Sequence, residues 1–240
     1  MARLKLLLAS LLFMGLIIAC DNSAEPGSVR EPEPVDAAVV PDSIEAATVN
    51  LALVYTIIPG ESVARFELDE EILSANTGWG AWSQITVKGD TDQVFGDIIF
   101  DGGELANAQL DSIRINADTF YTVEFWRKRA IQNDILETET YPFITFDPTE
   151  LRNMPLDVEI GEEVSFQING DLTIKDISLP QTFEVTALLN SADEIVGSAS
   201  TVVTRESYQL EIPRIPPHVQ NIEDEVELYI DFVARAQPDN

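Results

Sequence analysis

The chain has 240 residues, with 14 Lys+Arg against 42 Asp+Glu and a formal charge of −28. That balance argues against a nucleic-acid partner, whose phosphates demand a basic face, and against electrostatic docking of the protein on anionic headgroups. A hydrophobic fraction of 45% still builds a core, whereas one Cys excludes an internal disulfide and one His excludes a multi-histidine metal site.

Residues 1–19 read as a leader. Arg3 and Lys5 make a short basic start, and Leu6 to Ala19 follows without a charge, the shape of a secretory h-region and short for a membrane span. The leader ends Ile17-Ile18-Ala19-Cys20, which resembles a bacterial lipobox. That resemblance implies acylation of the Cys20 thiol, cleavage before it, and membrane anchoring through Cys20. An ordinary signal peptide, or an uncleaved anchor with an incidental Cys, is the alternative. Removing residues 1–19 removes two basic and no acidic residues, which leaves −30. Such a surface is repelled by anionic lipid, so a covalent anchor is the more useful one. Asp21 next to the Cys implies, by the enterobacterial rule, retention at the inner membrane.

Residues 20–52 follow as a tether. They hold Pro26, Pro32, Pro34 and Pro41, and no aromatic residue occurs between Phe13 and Tyr55. A stretch with so little to bury does not offset its ordering entropy. It reads as a flexible acidic spacer, or as an unstructured segment with no spacing role.

Residues 53–236 read as one all-β domain. Val63, Phe66 and Leu68 follow Gly60. Val94, Ile98 and Phe100 share a parity around Gly96, where a bend is expected. Ile113 and Ile115 alternate with Ser112, Arg114 and Asn116. Thr122 to Leu136 breaks the pattern, since Val123, Trp126, Ala130, Ile131 and Ile135 recur at roughly helical spacing. Ile144 and Phe146 follow Tyr141-Pro142. Val164, Phe166, Ile168, Leu172 and Ile174 alternate through Gly170, and Phe183, Val185 and Ala187 continue the theme. Val226, Leu228, Ile230 and Phe232 face opposite Glu225, Glu227 and Asp231. Such alternation means one wet face and one buried face. The strands suit either an antiparallel barrel of about eight strands with room for a ligand, or a sandwich filled by its own side chains.

Several blocks in this region resemble the YceI-like family of bacterial lipid-binding proteins, also called polyisoprenoid-binding-like. They are Arg127 with Ile131 and Ile135-Leu136, then Tyr141-Pro142-Phe143-Ile144-Thr145-Phe146, the hairpin Gly170 to Pro180, and Arg205 with Tyr208 and Leu210. The chain departs from the family pattern at Lys128, Ala130 and Asp176, and in the segment Gly78 to Ser83. The resemblance implies an extended lipocalin-like β-barrel around a long apolar molecule, such as a polyisoprenoid or isoprenoid quinone. It implies no catalytic residues and no cofactor.

A prenyl tail needs a dry apolar lumen. The expected ligand-contacting residues are Phe66, Phe95, Ile99, Phe125, Trp126, Phe143, Phe146, Phe166, Ile168 and Leu172, each of which is otherwise ordinary core. Phe143 and Phe146 differ in parity, so a regular strand turns only one inward. Arg127 and Arg129 are candidates for a polar handle on the ligand head, or for pairing with nearby carboxylates. Trp79 and Trp82, among Gly78 and Gly80, form an aromatic loop at a barrel mouth or a packed hairpin. His218 stands alone in a proline-rich stretch, and no nucleophile elbow or metal motif is present. The sequence therefore favours an anchored, non-enzymatic envelope lipoprotein facing the periplasm or exterior, whose barrel binds or sequesters a lipid. An envelope adaptor with a filled barrel is the rival, and a homodimer is left open.

Overall fold

Period-two alternation builds one antiparallel sheet of thirteen strands in this computed structural model, which describes residues 53–74, 81–100, 108–155 and 158–237. The strands are β1 (Leu53–Ile57), β2 (Val63–Ser74), β3 (Ala81–Thr91), β4 (Val94–Phe95), β5 (Asp97–Phe100), β6 (Ala108–Leu110), β7 (Ile113–Asn116), β8 (Phe143–Arg152), β9 (Glu163–Ile174), β10 (Ile177–Ser191), β11 (Glu194–Thr204), β12 (Val219–Ile222) and β13 (Glu225–Ala236). Cys20, the leader, the tether and Trp79 lie outside the described residues.

The pairings run in a ring. In order they join β7, β8, β9, β10, β11, β13, β1 and β5. The ring closes because β4 and β5 are two halves of one stave, bent at Gly96, and β6 and β7 are two halves of the next. On the first, β5 pairs with β1 and β6, while β4 pairs with β7. Asp111 N–H donates to the Asp97 carbonyl at 2.9 Å across the bend. A Cβ at Gly96 would come within 2.4 Å of Ile113 Cδ1, so any other residue there would require the Ile113 side chain to shift. The sheet has thirteen strands where about eight were expected, because two staves are broken into β4/β5 and β6/β7 and because β2, β3 and β12 are added.

The other three strands lengthen the barrel. The long strand β13 carries β1 along Ala234–Ala236 and β2 along Glu227–Asp231. The chain reverses between them at Pro59-Gly60, with Gly60 at φ 87°. In this half the wall runs β13, β2, β3, with β12 also on β2. The far edge of β3 meets no further strand among the described residues. Asp90 and Tyr121 instead exchange backbone hydrogen bonds at 3.0 and 2.8 Å.

The segment read as helical spans this opening. It forms α1 (Phe125–Ala130), which continues into a π-helical turn at Ile131–Ile135. Leu136 N–H closes that turn on the Ile131 carbonyl at 2.8 Å. Ile131 and Leu136 are buried in the same hydrophobic cluster as the inward faces of the strands.

A candidate ligand cavity divided by an aromatic layer

Inward side chains leave two cavities, one after the other along the same strands. The first, about 110 Å³, is lined by Ile98, Phe100, Phe166, Ile168, Val185 and Phe232 among others, and Gln109 is its one polar lining residue. The second, about 150 Å³, lies on the β2–α1 side, with Phe66, Leu68, Trp126, Ile174, Val203 and Leu228 in its wall. No residue lines both.

The boundary can be read strand by strand. On β13, Phe232 and Ile230 face the first cavity, while Leu228 and Val226 face the second. On β8 the division falls between Phe146 and Ile144. On β9, Leu172 stands between Ile168 and Ile174, nearly inaccessible and lining neither cavity. Phe146 makes an edge-on contact with Phe183, ring centroids 4.8 Å apart. Its ring lies over Gly170, where a Cβ would sit 2.6 Å from Phe146 Cζ. Glycine at that place leaves room for the ring to lie flat against the neighbouring strand. Tyr208 completes the layer; its hydroxyl donates to the Leu172 carbonyl at 3.4 Å, and burial pushes its phenol up to about 12. Among the described residues, no cluster of His, Cys, Asp and Glu is arranged to hold a metal ion.

The expected contact residues divide in two. Phe66, Trp126, Phe146, Phe166 and Ile168 line a cavity, and Leu172 sits in the layer. Phe95, Ile99, Phe125 and Phe143 line neither, which corrects the expectation that they face the lumen. Parity explains three of them. Ile98 and Phe100 point inward, so Ile99 between them cannot, and the bend at Gly96 does not turn Phe95 into the lumen. Phe146 points inward, so Phe143 falls on the outer face, where the Arg114 guanidinium lies 5.7 Å from its ring. Phe125 opens α1 and is 72% exposed. Phe183, Val185 and Phe232 were missed as contacts, although the same alternation that marked Phe166 and Ile168 marks them too.

Arg127 lines the second cavity, with its side chain 11% exposed. It pairs with Glu70 at 2.8 Å and with Glu124 at 2.6 Å, and its guanidinium stands 4.9 Å from the Trp126 ring. The carboxylate-pairing alternative therefore describes this residue, but not completely. Its Nε–H is buried and has no partner among the described residues. Arg129 is exposed and lines neither cavity. Arg205, from the resemblance blocks, also lines the second cavity and donates to the Glu223 and Ile222 carbonyls at 2.9 and 3.0 Å. His218 is a packing residue, edge-on to Trp126 at 6.2 Å.

The YceI-like domain profile matches residues 55–234. The chain belongs to the YceI-like family. Among solved structures this YceI-like chain is similar to a polyisoprenoid binding domain from Saccharophagus degradans, described as implicated in plant cell wall breakdown. The TM-score is 0.59 at 17% identity, over 77% of this chain and 99% of that one. It is also similar to BcnA of Burkholderia cenocepacia, with TM-score 0.51 at 16% identity over 71% of this chain and 95% of that one. These likenesses establish the fold. No curated protein matches the chain.

Proposed function

We propose that this YceI-like protein is an envelope lipoprotein whose barrel binds a lipid with a long isoprenoid tail, either a polyisoprenoid or an isoprenoid quinone. The observation that carries the reading is the pair of largely apolar cavities set end to end along the shared strands β8, β9, β11 and β13. An apolar cavity of about 150 Å³ takes a molecule the size of benzene. Each cavity alone thus suits a prenyl unit or so, and a longer chain needs both, with Phe146 and Leu172 displaced. Burial of the tail supplies about 25 cal/mol per Å² before the costs of ordering it. The unpartnered Nε–H of Arg127 supports a head group with an acceptor oxygen, since an unmet buried donor is costly. The polyisoprenoid-binding name of the Saccharophagus relative supports the ligand class. The lipobox-like Ile17 to Cys20 supports acylation at Cys20 and a position at the membrane.

The closed aromatic layer favours a second reading, an envelope adaptor whose barrel is filled by its own side chains. Organic extraction of the full chain purified from membranes, followed by mass spectrometry, separates the two. A stoichiometric prenyl lipid distinct from the N-terminal acyl group supports cargo binding. A barrel that yields none, and takes up none when offered an isoprenoid quinone, supports the adaptor.

A further inference from the structure

The charge of −28 excludes docking of the surface at large on an anionic bilayer, yet the structure gathers an opposite patch at one end of the barrel. The residues concerned lie on Tyr121–Ile131 and Arg214–His218. Together these segments hold four basic residues, Arg127, Lys128, Arg129 and Arg214; Arg127 is taken up by Glu124 and by Glu70 of β2, which leaves Lys128, Arg129 and Arg214 as the charges the patch presents. The two segments meet, because Trp126 packs on His218 and the His218 carbonyl accepts from Leu73 N–H at 2.7 Å. Leu73 is in turn the cross-strand partner of Trp82.

The same end holds most of the large apolar side chains left in solvent among the described residues. Val123 is 83% exposed, and Phe125, Trp126, Trp82, Leu73 and Ile215 are exposed beside it. This is unusual company for three consecutive basic residues, and Val123 and Phe125 line neither cavity. Trp126 and Arg214 also line the second cavity, so its wall reaches solvent within this rim.

We infer that this rim is a membrane-docking face, which sets the exposed apolar residues into the interface of an anionic bilayer while Lys128, Arg129 and Arg214 meet lipid phosphates. Aromatic side chains favour the headgroup level, and neighbouring basic residues favour anionic lipid. Screening makes the local patch, rather than the distant acidic surface, decide the contact, because charges act over only about 8 Å at physiological salt. The mouth of the second cavity then opens toward the lipid phase. That last consequence rests on the lipid-binding reading, whereas the docking itself does not.

The test uses the full chain reconstituted in vesicles, with intrinsic fluorescence read against phospholipids brominated on the acyl chains. Trp82 and Trp126 belong to this end of the molecule, so with Trp79 replaced by Phe the signal reports this rim even if Cys20 already anchors the chain. Strong quenching is expected in vesicles with about one third phosphatidylglycerol, and several-fold less in phosphatidylcholine alone. Phe125→Asp and the pair Lys128→Glu with Arg129→Glu should each reduce the quenching several-fold, and circular dichroism should show the fold intact. Equal quenching in neutral and anionic vesicles, or no loss in either variant, overturns the inference. So does a stable dimer that shields the tryptophans from the bilayer. Extraction of the cavity lipid is a separate readout, so failure of docking and failure of cargo binding are told apart.

Discussion

Replacing Phe146 by Ala removes the ring that separates the two cavities, and the cost can be worked from its surroundings. The side chain is 5% exposed, so nearly all of its transfer free energy is lost, about 2–3 kcal/mol. The edge-on contact with Phe183 adds about 1 kcal/mol. The space left behind opens into existing cavities on both sides and has little chance to collapse, which places the total in the middle of the usual 3–5 kcal/mol for Phe→Ala, at about 4 kcal/mol. With an m-value of about 2 kcal/mol/M, urea denaturation should show a midpoint about 2 M lower and an unchanged slope. Phe146→Leu keeps more of the packing and suits binding assays. It should raise affinity for a long prenyl chain relative to a short one, because the longer chain no longer has to displace the ring. A midpoint shift below about 0.5 M for Phe146→Ala, or equal effects on short and long chains for Phe146→Leu, would refute the idea that this layer divides the lumen.

Arg127→Ala strips a partner from Glu70, whose side chain is 8% exposed, and should cost about 3–5 kcal/mol; the double variant with Glu70→Ala should recover part of that loss in a denaturation cycle. Acid should weaken the junction of β1, β11 and β13. The Glu61 carboxyl is held below its ordinary 4.5 by hydrogen bonds from Arg235, and that of Glu194 by hydrogen bonds from Asn190 and Arg235. A carboxyl depressed in the folded state stabilises it above the ordinary value and loses that effect as pH falls through the folded one. The melting temperature should therefore drop more steeply below pH 4.5 in the natural protein than in Arg235→Gln, as measured by calorimetry. Cys20→Ser should move the protein from the membrane to the soluble fraction on cell fractionation; retention there would indicate that residues 1–19 remain as an uncleaved anchor.

The inward face was legible wherever one strand carries a clean alternation on its own. Phe166, Ile168 and Leu172 on β9, and Val226 to Phe232 on β13, needed nothing beyond period two. The segment from Thr122 to Leu136 was legible as helical for the same kind of reason, though its change from α to π at Ile131 was not. Phe95 and Ile99 fall on the opposite parity from Val94, Ile98 and Phe100, so period two already turned them away from the lumen. The aromatic layer was hidden, because Phe146 reaches across to Gly170 on another strand and the register of β8 on β9 brings them together. Charge misled in its own way. A total of −28 describes the average surface, and the patch of Arg127, Lys128, Arg129 and Arg214 emerges only when the chain brings 121–131 beside 214–218.

Native mass spectrometry of the delipidated full chain titrated with an isoprenoid quinone tests the cargo-carrying barrel most directly. The structure leads us to expect a one-to-one complex that disappears in Phe166→Asp, a substitution in the wall of the first cavity, while circular dichroism still reports a folded sheet. A complex that persists in the folded variant, or a natural protein that takes up no quinone at all, would contradict it.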